Sequence, residues 1–136
     1  MVETMVNENF KDLFVGGALN EIFPDHRADQ FFEALYGGTE DGAFTIRMTY
    51  DNYDAVKKTL RFELQLHERP GKCLACNLTY GLPQVFSRHP VINLQGVVQE
   101  IEKLLNGKAR CLDWSLGSTN PVSNTLHIIP LNIRLA

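Results

Sequence analysis

The chain has 136 residues, a hydrophobic fraction of 44%, a charged fraction of 21% and a net charge of −3. This length and composition fit one globular domain of residues 1–136 and exclude a disordered chain. The mildly acidic balance gives no general attraction to nucleic acid or to an anionic membrane surface, so we expect neither as a partner.

The first ten residues, from Met1 to Phe10, contain acids but no basic start and no apolar run, unlike a secretory signal. No stretch of the chain approaches the roughly 20 apolar residues that cross a bilayer. The three cysteines are an odd number, which argues against a closed disulfide framework. We therefore expect a cytoplasmic protein in a reducing environment.

Two helical segments are predicted in the first quarter of the chain. Residues 1–20 form a flexible arm or a short helix, because an apolar pattern of helical spacing ends at Gly16-Gly17. A clearer helix runs from Asp25 to Tyr36, where Asp25 is a suitable cap and apolar residues recur at helical spacing. Those apolar residues are Ala28, Phe31, Phe32 and Leu35.

Strict alternation of apolar and polar residues predicts strands over 44–50 and 60–67. Such strands have one face on the core and one in solvent, as is typical of antiparallel sheets. A third strand is predicted over 73–80, where every second residue is apolar or cysteine. Residues 81–92 are predicted to be a loop, whose apolar content indicates packing on the core or contact with a partner.

The helix from Leu94 to Leu105 has the clearest pattern in the chain. Asn93 suits its N-cap, and Asn106-Gly107 suits its end. One face of this helix is predicted to be buried, and its residues are Leu94, Val97, Val98, Ile101, Leu104 and Leu105.

Two further strands are predicted over 111–116 and 126–135. In the second, the apolar phase changes beside Pro130, which predicts a β-bulge on an exposed edge strand over 125–135. Together the elements predict an α+β fold in the order α-β-β-β-α-β-β. We expect a mainly antiparallel sheet of about five strands, with helices packed on one face.

The Cys73-x-x-Cys76 pair is the local pattern that could carry chemistry directly, as a thiol redox pair or as half of a zinc site. Cys111 would supply a third zinc ligand, and His67 or His89 the fourth. On a strand, however, residues three apart face opposite sides. We therefore favour structural cysteines and no cofactor, and keep zinc binding or thiol redox chemistry as the alternative.

A second candidate site is basic. Arg69, Lys72, Arg88 and His89 flank the apolar 81–92 segment and could hold an anion such as phosphate or a carboxylate. The alternative is four solvated side chains. No G-x-x-x-x-G-K-[ST] or G-x-G-x-x-G run supports a nucleotide-binding loop.

No catalytic constellation is visible in the sequence. We predict a small non-enzymatic binding or protein-interaction domain that forms a homodimer, with the 81–92 segment and the 125–135 edge as contact surfaces. One alternative is a zinc-binding or thiol-redox protein built on Cys73 and Cys76. Another is a small enzyme with a cysteine or histidine in a cleft under the 81–92 segment.

Overall fold

The computed structural model describes residues 14, 17–24, 27–36, 44–72, 82–105 and 109–135. The predicted third strand at 73–80 and most of the predicted arm at 1–20 lie outside this part of the chain. The described elements are α1 (Ala18–Ile22), α2 (Arg27–Tyr36), β1 (Phe44–Asp54), β2 (Thr59–Glu68), α3 (Leu82–Arg88), α4 (Leu94–Leu105), β3 (Cys111–Leu116), β4 (Asn120–Pro121) and β5 (Leu126–Leu135). Among these helices, none has the length and apolar character needed to cross a membrane.

The strands form one five-stranded antiparallel sheet in the order β1-β2-β5-β3, and the short β4 also pairs with β5. The buried side chains of the described helices and of one sheet face form a single hydrophobic cluster. The predicted α+β fold, with an antiparallel sheet and helices on one face, is therefore confirmed. The element order is close to the predicted one, with α1, α3 and β4 as additions.

The centre of the sheet is the pairing of β2 with β5. Every second side chain of both strands faces the helices, and each of these is at most 5% exposed. They are Leu60, Phe62, Leu64 and Leu66 of β2, and His127, Ile129, Leu131, Ile133 and Leu135 of β5. The buried phase of β5 is continuous, because Leu126 and Ile128 lie on the outer face. The predicted bulge and exposed edge at 125–135 are therefore wrong, since β5 is an internal strand.

Pro130 is compatible with this internal position because of the strand beside it. The carbonyl of Pro130 accepts a hydrogen bond from the Gly117 N–H at 2.9 Å, so its backbone faces the β3–β4 side. On that side residues 117–119 separate β3 from β4 and leave the ladder interrupted. Proline has no backbone N–H to donate to a neighbouring strand. At Pro130 the neighbouring strand is interrupted, so a regular pairing partner for that N–H is not required.

Helix α4 has the bounds that the sequence predicts. Asn93 caps it, with its Oδ1 accepting the Gly96 N–H at 3.2 Å. The side chains of Leu94, Val97, Val98, Ile101 and Leu105 are all buried. Helix α2 is also confirmed over its described residues, and it buries Ala28, Phe31 and Phe32.

The loop prediction for 81–92 is wrong over residues 82–88, whereas the expected packing of apolar residues of this segment on the core is confirmed. Residues 82–88 form α3, which buries Phe86, and Ile92 is also in the core. Pro83 lies in the first turn of α3, where a helix has no intrahelical partner for the missing N–H. Leu82 and Phe86 of this short helix therefore pack on the core, and so do Val91 and Ile92 in the turn that follows it.

Candidate functional site at an open sheet edge

The Cys73-x-x-Cys76 pair lies outside the described residues, so its zinc or thiol chemistry stays a prediction. The structure does place the other predicted ligands, Cys111, His67 and His89. Cys111 pairs with Leu135, whereas His67 pairs with Leu126, nine residues away along β5. This distance is roughly 30 Å at the rise of a strand. One metal ion therefore cannot take both Cys111 and His67 as ligands.

Cys111 is a free, half-buried cysteine at the start of β3. Burial, followed by the negative charge of Glu102, raises the pKa of its thiol to about 11. The Glu102 carboxylate also accepts the Cys111 backbone N–H at 2.8 Å. The thiol is thus protonated at neutral pH, which disfavours both nucleophilic attack and metal binding. Within the described residues, no group of three or more His, Cys, Asp or Glu side chains is arranged for a metal ion.

Arg69, one of the four predicted anion ligands, is engaged in packing. Its guanidinium forms an ion pair with Asp29 at 2.5 Å and lies 5.4 Å from the centre of the Phe32 ring. The Arg69 side chain is only 17% exposed. It joins the end of β2 to α2, which is a structural role.

His89 is also held by its neighbours. Its Nδ1 accepts the Val91 N–H at 3.2 Å, and its ring packs edge-on against Phe31 with 4.9 Å between centres. Lys72 and Arg88 are exposed. Arg69 and His89 therefore contact adjacent residues of α2, but neither lines a pocket described below. Anion binding by the four residues stays a prediction.

The feature with the clearest capacity for binding is the outer edge of β3. In an antiparallel ladder, the backbone groups of alternate residues point to opposite sides. Since Gly117 donates to β5, the residues of the same parity, Asp113 and Ser115, also face β5. The backbone groups of Trp114 and Leu116 then point away from β5. No strand in the described part of the chain pairs with that side of β3.

An irregularity in β3 exposes an apolar side chain on this edge. The register shifts between Cys111 and Asp113, so Leu112 is an extra residue without a partner on β5. Leu112 is 58% exposed, although the sequence pattern places it in the apolar phase with Trp114. Val122, which follows β4 on the same edge, is 54% exposed.

A pocket of about 250 Å³ adjoins this edge, between β3 and α4. Its lining consists of Gln95 and Val98 of α4 and Cys111, Leu112, Asp113 and Trp114 of β3. The indole Nε1 of Trp114 donates to the Gln95 side chain at 3.0 Å, which holds the ring beneath α4. The edge therefore combines backbone hydrogen-bonding groups with a pocket that can receive a side chain.

A comparison of this chain with family models, with curated proteins and with solved structures found no significant match.

Sequence reasoning placed the open edge on the wrong strand. The alternation of β3 is visible in the sequence, but its unpaired side depends on β5 lying between β2 and β3. A bulge that turns Leu112 outward has no signature such as glycine or proline beside it. The site therefore emerges from strand order and register, which the local pattern does not contain.

Proposed function

We propose that this chain is a non-enzymatic protein-interaction domain that forms a homodimer through the open edge of β3. The observation that carries this proposal is the exposed Leu112 on a strand whose outer backbone groups have no strand partner among the described residues. An open strand edge is a template for pairing with another strand. Pairing between identical edges closes both of them across a two-fold axis.

The parity of β3 limits such a dimer to registers that pair the outward backbone groups of Trp114 and Leu116. With the two-fold axis at Trp114, the outward backbone groups of the two Trp114 residues form a hydrogen-bonded pair. Asp113 then lies across from Ser115 of the second copy, so that like charges are not directly opposed. Asp113 is also compensated within its own chain by an ion pair with Arg134.

The same register places apolar side chains together. Leu112 lies across from Leu116 of the second copy, beside the pocket that α4 and β3 enclose. Burial of exposed apolar surface is the main driving force of association. The hydrogen bonds set the register of the pairing, while Leu112 contributes to its affinity.

The proposal includes no cofactor and a cytoplasmic location. The free Cys111 thiol, protonated at neutral pH, suits a reducing compartment.

The test is a single charge at the centre of the exposed patch. Leu112→Lys puts a solvated ammonium on the edge, which blocks strand pairing. Sedimentation equilibrium is expected to give twice the 15.4 kDa chain mass for the unaltered protein and the single-chain mass for this variant. Val56→Lys is the matched control, because Val56 is 94% exposed in the turn between β1 and β2. It is expected to remain dimeric.

Hydrogen exchange distinguishes edge pairing from association elsewhere. The amides of Trp114 and Leu116 point outward, so their protection should rise with protein concentration. The Ser115 amide faces β5 and should be insensitive to concentration. A dimer that survives Leu112→Lys, or a chain that is monomeric at every concentration, would contradict the proposal.

A further inference from the structure

A second pocket lies on the outer face of the sheet, away from the helices. Its volume is about 450 Å³, and its lining consists of Asn52, Asp54, Lys57, Thr59, Arg61 and Asn132. All six lining residues are polar or charged. A ligand in this pocket would therefore be held mainly by hydrogen bonds and charge.

A bulge in β1 creates this arrangement. The register of β1 against β2 shifts between Tyr50 and Asn52. Beyond the shift, Tyr53 packs on the core, whereas Asn52 and Asp54 join the outer face. Bulges commonly re-aim side chains in this way next to functional sites.

Three strands contribute to the same polar row. Asn52 of β1 lies across from Arg61 of β2, and Arg61 lies across from Asn132 of β5. Asp54 and Thr59 form the next pair on this face toward the turn. The groups are fixed on regular strand positions, so their spacing does not depend on a long loop.

The carboxylate of the pocket is already in use. Asp54 Oδ1 accepts the backbone N–H groups of Val56 at 3.0 Å and Lys57 at 3.1 Å, which shapes the turn. The Thr59 hydroxyl donates to the Lys57 carbonyl at 3.1 Å. Asp54 keeps its second oxygen as an acceptor, and its negative charge opposes a second anionic group nearby.

The cations of the pocket are less engaged. Arg61 Nε lies 3.6 Å from Asp51 Oδ2, in an ion pair whose side chains are 47% and 35% exposed. No ion pair is found for the Lys57 ammonium among the described residues. The lining carries two positive charges and the negative charge of Asp54, and Asp51 beside Arg61 is a second, more distant carboxylate.

The geometry points to a binding site for a small phosphorylated polyol. Arg61 and Lys57 would hold the phosphate through charge-assisted hydrogen bonds. The side-chain amides of Asn52 and Asn132 both donate and accept, which matches hydroxyl groups. Asp54 accepts from a further hydroxyl and disfavours a ligand with phosphates at both ends. This inference does not depend on the proposed homodimer.

The experiment is an NMR titration of the full chain with ribose 5-phosphate, and with inorganic phosphate and ribose as separate probes. Saturable amide shifts are expected at residues 52–61 and 132. Ribose 5-phosphate should bind at least about tenfold more tightly than either fragment, because it engages both halves of the pocket. Equal binding of ribose 5-phosphate and inorganic phosphate would overturn the polyol assignment.

The variants decide between this pocket and the basic cluster predicted from sequence. Arg61→Gln is expected to weaken binding about tenfold, and Lys57→Gln, in an exposed turn, gives an independent second measurement. Arg88→Gln removes an exposed cation of the other cluster and should leave binding unchanged. Unaltered affinity in Arg61→Gln and Lys57→Gln, weakened affinity in Arg88→Gln, or the absence of saturable shifts would each overturn the inference.

Discussion

The two sides of β5 differ in regularity. Against β2, nine consecutive residue pairs keep a single register. Against β3 and β4, the register shifts at Leu112 and the ladder is interrupted at residues 117–119. The same strand therefore supports a regular pairing with a buried inner face on one side and an irregular edge with exposed apolar residues on the other. The regular side is suited to stability, and the irregular edge is the surface to which the proposed homodimer is assigned.

The largest expected effect is at the centre. Leu64 is fully buried and lies between Met48 of β1 and Ile129 of β5. Leu64→Ala removes apolar contacts and leaves a cavity, so we expect a loss of about 3 kcal/mol in the free energy of unfolding. Urea denaturation measures it, with Val56→Ala as an exposed control near zero. A loss below about 1 kcal/mol would mean that the centre is not tightly packed.

A smaller effect is expected where the edge meets Pro130. A Cβ at Gly117 would lie 2.6 Å from Pro130 Cγ. Gly117→Ala should therefore cost about 1–2 kcal/mol through overpacking. In a Pro130→Ala background most of this cost should disappear, which a double-mutant cycle measures. An unchanged cost in that background would rule out the contact as its cause.

The next prediction concerns the Cys111 thiol, whose pKa rises from 9.0 to about 11. With Cys73 and Cys76 replaced by serine, alkylation of Cys111 at pH 8 should be about a hundredfold slower than that of an unperturbed thiol. The folded protein keeps this proton while the unfolded chain loses it above about pH 9. The thiol's contribution to stability is thus present below pH 9 and is lost as the pH rises toward 11.

The alkylation rate as a function of pH checks this value. Glu102→Gln should lower the pKa of the Cys111 thiol by less than half of the rise, because burial and not the Glu102 charge is the larger cause of that rise. A rate that levels off near pH 9 would contradict the buried position of the thiol.

The smallest effect is expected for the ion pair of Arg134 with Asp113, on the outer face of the edge. Both side chains are well exposed, at 60% and 58%. Arg134→Ala should change the free energy of unfolding by less than about 1 kcal/mol, since solvent screens such pairs. Denaturation at low and high salt tests this, and a larger, salt-independent loss would show that the edge contributes to stability.

The elements whose apolar residues recur at a clear helical or strand spacing were predictable from sequence. Helix α4 begins and ends where its apolar stripe and the Asn93 cap indicate. The inner faces of β1 and β2 follow from strict alternation. In these segments local preference and tertiary packing agree, so a short window of sequence contains the needed information.

The remaining features depend on neighbours that the sequence does not reveal. Leu126 and Ile128 are apolar but lie on the outer face, which made β5 resemble an edge strand with a bulge. Pro83 suggested a loop, although the first turn of a helix accepts proline. The residue types of β5 were compatible with an edge strand or an internal strand, and those around Pro83 with a loop or a helix. Packing against the rest of the chain selected one structure in each case.

The candidate sites show the same limit. The sequence indicates which residue types could react, but not what they contact. Arg69 meets Asp29, forty positions earlier in the chain, and is thereby committed to packing. Leu112 follows the alternation of its strand, yet the shifted register exposes it. Partners distant along the chain and one-residue shifts in pairing both lie beyond local patterns.

The central position of β5 also determines when the sheet can assemble during synthesis. Residues 69–125 separate β5 from β2, so the ribosome completes both of its future neighbours before it releases the strand that joins them. Until Leu126–Leu135 emerges, the nascent chain holds a β1–β2 hairpin whose apolar face lacks half of its sheet. Closing so long a loop is slow compared with forming local hairpins. Assembly of the sheet therefore waits for β5, and aggregation during synthesis is a hazard chiefly of that interval.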